Sequence, residues 1–205
     1  MKAWEEFYPD VTPEVPGCPD PTIDIALRRS AQRFFQDTGV WRLWLDDVTT
    51  TGGMELDIEL EPNSELAQLL QATLDGREIE VYAPDHLPAG WKTGEAGFAV
   101  GVCSFDTKTL HLLPQQASGL VLRVEATLRP SNKATGVEDR LFDRYVLPIA
   151  MGAKALLMAQ PGKAWSNPDL ASAYANAFAS EIHTVGAAAL SGFSRAPRRV
   201  RPSFF

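Results

Sequence analysis

Between residues 41 and 128 the apolar side chains recur at every second position, while on both sides of that stretch they recur at every third or fourth. The clearest case is Met54, Leu56, Ile58 and Leu60 alternating with Glu55, Asp57 and Glu59, a period that sends apolar groups to one face of a sheet and carboxylates to water. The same step returns at Trp41, Leu43, Leu45, at Ile79, Val81, at Phe98, Val100, Val102, at Leu110, Leu112, and at Leu120, Leu122, Val124, Ala126, Leu128. Residues 41–130 are therefore expected to form a mostly antiparallel β unit. Asp75-Gly76, between Leu74 and Arg77, predicts a two-residue hairpin turn, because both turn positions need positive φ. Residues 65–70 fit either period.

The flanking segments read as helix. Asp20 can cap and Pro21 suits a first helical position, after which Ile23, Ala26, Leu27, Ser30 and Phe34 follow a helical period until Gly39, giving about four turns. Before it, Pro9, Pro13, Pro16, Pro19 and Pro21 predict an extended arm over residues 9–21, serving as a wrapping arm or a surface strap. After residue 130, the spacing Thr135-Gly136-Val137-Glu138 matches a reciprocal capping box and predicts a helix start. The apolar face then runs Leu141, Tyr145, Ile149, Gly152, Leu156, with Gly152 small enough for a close approach and Pro148 predicting a bend near Arg144. Pro161-Gly162 stops this helix, and Asn167-Pro168-Asp169 starts a last one. Its stripe is Leu170, Tyr174, Ala177, Phe178, Ile182, Val185 and Ala189, ending at Gly192, and the two helices should form a hairpin. Residues 193–205 carry no period and are expected to be a mobile basic tail able to order on a partner.

Charge narrows the function classes. The chain of 205 residues has a net charge of −7, which disfavours general DNA coating by dense Lys and Arg. The acidity is uneven: residues 195–205 hold four arginines and no carboxylate, leaving 15 basic against 26 acidic side chains before them. Two widely separated cysteines, Cys18 and Cys103, fit a reducing compartment. The acidic, aromatic start lacks the pattern of an export signal. The most apolar run, residues 145–159, is interrupted by Pro148 and Lys154 and falls short of the roughly 20 residues of a membrane span, so a soluble protein is expected.

Motifs for chemistry are sparse. His86, His111 and His183 show no metal-ligand spacing, and neither a metal nor another cofactor is expected. Cys103 and His111 fall on neighbouring predicted strands and could pair as nucleophile and base, or be a core thiol and a cross-strand polar residue. Gly162-Lys163 lacks the earlier Gly and the following Ser or Thr of a phosphate loop, these positions being Leu157 and Ala164. The carboxylates of residues 55–61 read as a solvated edge that discourages strand addition. The tail arginines admit DNA contact, a protein interface or simple solubility, and their pairing with terminal aromatics favours the protein interface.

Several segments, taken in order, carry a resemblance. Phe7-Tyr8-Pro9, then Pro13-Glu14-Val15-Pro16-Gly17-Cys18-Pro19 leading into Ile25-Ala26-Leu27-Arg28-Arg29, resembles the opening of the head-to-tail adaptor proteins of tailed bacteriophages. Asp143-Arg144-Tyr145, Gly152-Ala153 and Pro161-Gly162-Lys163-Ala164-Trp165-Ser166-Asn167-Pro168 are similar to the helix-loop-helix with which such adaptors close, and Leu74-Asp75-Gly76-Arg77 fits between. The likeness covers residues 4 to about 190. Pro148 departs from the family's pattern, and the tail lies outside it.

The resemblance implies an α+β fold: a bundle of three to four helices, formed by the N-terminal helix and the C-terminal helix hairpin, with an inserted, mostly antiparallel β-sandwich or barrel-like unit. The corresponding parts are residues 1–40, arm and first helix; 41–130, inserted β domain; 131–192, helix hairpin; and 193–205, tail. It implies a non-enzymatic virion part, a ring of about twelve copies at the neck, assembled in the host cytoplasm. Its partners would be the portal protein, neighbouring adaptor copies and a tail or nozzle protein, with genome DNA passing through without sequence-specific binding. The candidate partner-binding residues are Trp4, Phe7 and Tyr8 at one end and Arg195, Arg198, Arg199, Arg201, Phe204 and Phe205 at the other. Another tail-completion protein and a β-sandwich ligand-binding or hydrolytic module using Cys103 and His111 are the competing readings.

Overall fold

Proline fixes φ near about −65°, a value that a 3-10 turn accepts as readily as an extended strand does, and the N-terminal segment takes the turn. The structure, a computed structural model describing residues 1–87, 91 and 101–191, opens with strand β1 (Lys2–Ala3) and continues into 3-10 helices over Trp4–Asp10 and Thr12–Glu14. The extended arm expected over residues 9–21 is thus corrected. Trp4, Phe7, Val11 and Val15 are buried and follow one another at three- and four-residue steps, so one side of the winding segment is apolar and seals against the helices beneath it.

Helix α1 (Asp20–Thr38) has Pro21 in its first turn and ends on Gly39, whose φ of 60° is open to glycine and whose N–H donates to the Phe35 carbonyl at 3.0 Å. It buries Ile23, Ala26, Leu27, Ser30, Ala31, Phe34 and Phe35. With 19 residues it makes about five turns, one more than its apolar period suggests. Asp20 lies inside the helix and makes no side-chain cap.

The alternating segments become β2 (Arg42–Trp44), β3 (Val48–Thr49), β4 (Glu55–Asp57), β5 (Ser64–Leu74), β6 (Arg77–Val81), β7 (Gly101–Cys103), β8 (Thr109–Leu113) and β9 (Val121–Pro130). They form one mixed sheet in the order β2-β9-β5-β6-β7-β8-β4, with β3 also on β9. Among the described residues every pairing in it is antiparallel except β6 with β7. The sheet curls: the Leu66 N–H at the start of β5 donates to the Thr107 carbonyl, in the β7–β8 loop, at 3.3 Å. Residues 65–70, open to either period, are strand. Asp75 and Gly76 make the expected hairpin turn with φ of 48° and 75°. Along β4 Leu56 is buried while Glu55 and Asp57 face water, as the alternation predicts. Phe98 and Val100 lie outside the described residues.

The capping box at Thr135 does not form. Gly136 and Val137 instead make β10 (Gly136–Val137), which pairs with β1, and a Cβ at Gly136 would sit only 1.9 Å from the Lys2 carbonyl oxygen. A backbone ladder to residues more than a hundred positions away displaces the local cap. Helix α2 (Asp139–Met158) therefore begins later, and it runs through Pro148 as one element. Gly162, at φ 72°, turns the chain after it. Helix α3 (Pro168–Ser191) starts as expected, with the Leu170 N–H donating to Asn167 Oδ1 at 3.2 Å. Gly192 and the tail lie outside the described residues.

The result is an α+β molecule in which α1, α2 and α3 pack on one another and α1 also packs on β9. One contiguous apolar core joins the N-terminal segment, the helices and the sheet. Among the described residues no helix is long and apolar enough to cross a membrane.

Candidate interaction surfaces

The N-terminal candidates separate into core and surface. Trp4 donates its indole Nε1–H to the Ala134 carbonyl at 2.9 Å, and Phe7 meets the Phe142 ring edge-on at 4.8 Å between centroids. Both are buried and anchor the segment to its own chain. Tyr8 is half-buried, and its hydroxyl donates to Asp24 Oδ1 at 2.9 Å. Burial and then the Asp24 carboxylate push its phenol well above the ordinary tyrosine range. Arg195, Arg198, Arg199, Arg201, Phe204 and Phe205 lie outside the described residues.

A polar tie completes the anchoring. Lys154 of α2 donates from Nζ to Glu14 Oε1 at 2.7 Å, the Tyr174 hydroxyl of α3 donates to Glu14 Oε2, and Nζ stands 4.3 Å from the Tyr174 ring centroid. These two bonds hold the Glu14 carboxyl below its ordinary value. Burial opposes the charge on Lys154, but its bonds to Glu14 and Tyr174 outweigh that and leave the ammonium raised. The tie joins residues 14, 154 and 174, so the strap, α2 and α3 share one electrostatic contact. Periodicity did not reveal it, because a lysine inside an apolar helix face carries no local sign of its partner.

The β7–β8 register sets Cys103 directly opposite His111. His111 Nε2 lies 3.5 Å from Glu55 Oε1, its ring packs edge-on to Phe105 at 4.7 Å, and Nδ1 is buried with no hydrogen-bond partner among the described residues. Cys103 is fully buried, and burial pushes its thiol up, away from the thiolate a nucleophile needs. Its position is that of a packed core thiol. His86 pairs with Asp85 in a loop and His183 is exposed on α3. Among the described residues no cluster of His, Cys, Asp and Glu could hold a metal ion.

The large surface features lie on the helices. Of the 24 residues of α3, only Ala171, Phe178 and Ile182 are buried among those described, and its other alanines and Leu190 are half or fully exposed. A helix so apolar with so narrow a buried stripe has faces left to cover. Two grooves flank it. One, of about 730 Å³, lies between α3, the C-terminal end of α1 and the sheet, beside the Arg42–Glu125 ion pair. The other, of about 600 Å³, is walled by all three helices. Its floor holds Gly152, where a Cβ would stand 2.2 Å from Ser30 Oγ and 2.9 Å from the Phe178 ring, so glycine permits the close packing expected there. Leu156 and Leu170, placed by their periods on buried faces, are 44% exposed, and Leu156 lines this groove. The expectation for both is corrected: small residues narrow the helix contact and turn these leucines outward.

Comparison with protein-family models and with curated proteins finds no match to the chain.

Proposed function

We propose that the chain is a head-to-tail adaptor of a tailed bacteriophage, a non-enzymatic ring subunit that docks on the portal and joins the DNA-filled head to the tail. The observation that carries this reading is the uncovered face of α3 beside two grooves, the surface of a subunit built to be packed by others. The ordered likeness of residues 4–190 to such adaptors supports it. In this reading α1, α2 and α3 are the bundle, the curled sheet is the insertion between α1 and α2, and residues 193–205 secure a neighbouring protein. The acidic surface before the tail lets DNA slide past a channel wall that does not hold it.

In this reading docking falls to the other end of the chain. With Trp4 and Phe7 committed to the core, the four arginines and two phenylalanines of residues 195–205 are the contacts available to the portal. Deleting residues 195–205 is expected to leave the circular dichroism spectrum and melting point unchanged and to weaken portal binding at least about tenfold, the equivalent of about 1.4 kcal/mol, in a pull-down at matched salt. Full binding by the truncated chain would remove the tail from docking, and absence of binding by the full chain would overturn the adaptor reading.

A further inference from the structure

Resting on that ring reading, the three-helix groove bears on which surfaces of neighbouring copies meet. Its apolar interior, of about 600 Å³, takes a large side chain, and its rim carries two arginines of α1. Arg33 is committed, 3.5 Å from Asp37 and over the Phe178 ring. Arg29 is exposed and has no hydrogen bond or ion pair among the described residues. The groove thus calls for an apolar anchor with a carboxylate beside it.

The chain itself displays such an anchor. Trp44, on β2, is 49% exposed, and the short link from β2 to β3 carries Asp46 and Asp47. Asp47 accepts from Arg123 Nε and Nη2 at 2.8 Å each, whereas Asp46 has no hydrogen bond or ion pair among the described residues. The comparably exposed Phe105 is a poorer candidate: its ring packs on His111, and the adjacent Asp106 already accepts from the Lys108 and Thr109 amides at 2.7 Å. We propose that Trp44 of one copy enters the three-helix groove of the next, with Asp46 against Arg29. The two surfaces share no residue, so the contact can run head-to-tail from copy to copy, as the ring reading requires. Tryptophan and arginine at such a contact are the residue types that dominate interface energies.

The test is covalent trapping of the full-length chain carrying Arg29→Cys and Asp46→Cys, treated with a short bismaleimide at neutral pH. Cys18 and Cys103 are buried and stay out of the reaction. The pair is expected to give a ladder of linked oligomers at least about tenfold faster than a control pair of Arg29→Cys with Asp85→Cys, because a specific contact raises effective concentration. Adding Trp44→Ala should abolish the excess. Equal rates for the two pairs, or a ladder indifferent to Trp44→Ala, would overturn the proposal. Rings on the portal with a silent pair would sink this contact and leave the adaptor reading standing; a ladder with no ring on the portal would do the reverse.

Discussion

Replacing Phe34 by alanine is expected to lower the stability of the fold by about 3–5 kcal/mol, a fall of roughly 6–20 °C in melting temperature for a chain of this size. Phe34 is fully buried, and its ring lies 5.1 Å from that of Tyr145 on α2 and 6.3 Å from that of Phe178 on α3. One side chain of α1 therefore holds both later helices. Truncation leaves a cavity that backbones fixed by close packing at Gly152 and by the Ser30 Oγ–H bond to the Ile149 carbonyl at 2.7 Å cannot collapse to fill. Phe34→Leu, which keeps most of the volume, should cost clearly less. Thermal and urea unfolding check both; a Phe34→Ala loss below about 1 kcal/mol would mean that the three helices do not depend on one another through this residue.

The second large effect is expected at the strap. Lys154→Met removes the partner of a carboxylate, and breaking a buried pair on one side costs about 3–5 kcal/mol. The Lys154 side chain is 11% exposed but that of Glu14 is 39%, so water recovers part of the loss and about 2–3 kcal/mol is expected. The pH dependence has a definite sign. Glu14 is held below its ordinary 4.5, so its contribution is complete above that value and is lost as pH falls through the lower folded one. Lys154 is raised above its ordinary 10.5, so its contribution is complete below that value and is lost as pH rises through the higher folded one. The stability difference between wild type and Glu14→Gln in urea should therefore be constant between those limits and shrink toward acid. A difference that grows on acidification would contradict the tie.

What the sequence made legible was local. Gly39, Asp75-Gly76, Gly162 and Asn167-Pro168 each act through their own φ, or through a hydrogen bond within three residues, and each ends or starts an element where expected. The alternation of residues 54–60 told inside from outside because one face of β4 is solvated. What failed depends on distant partners. The prolines of the strap fit two conformations, and the choice is made by Trp4 and Phe7 finding Ala134 and Phe142. The signal was present in the spacing of Trp4, Phe7, Val11 and Val15, which is helical, but the proline count masked it. Thr135-Gly136-Val137-Glu138 carries a sound local motif that loses to pairing with Lys2 and Ala3. Leu156 and Leu170 keep the helical period but lie on faces the chain leaves uncovered.

The candidate surfaces were less legible than the fold for the same reason. A groove is a property of three helices at once, and Arg29, Gly152 and Phe178 are 123 and 26 residues apart in succession yet share one lining. Nothing in a linear period distinguishes an alanine that brings two helices together from one that stays exposed. The Cys103–His111 pair shows the converse: sequence placed the two on neighbouring strands, and the register sets them opposite each other, but burial decides their chemistry by disfavouring the thiolate.

A head-to-tail adaptor must assemble as several copies on a portal. Negative-stain imaging of the protein mixed in excess with its portal should show an added ring on the narrow end of the portal, with the portal's own rotational symmetry. Portals that stay bare at saturating protein would contradict it.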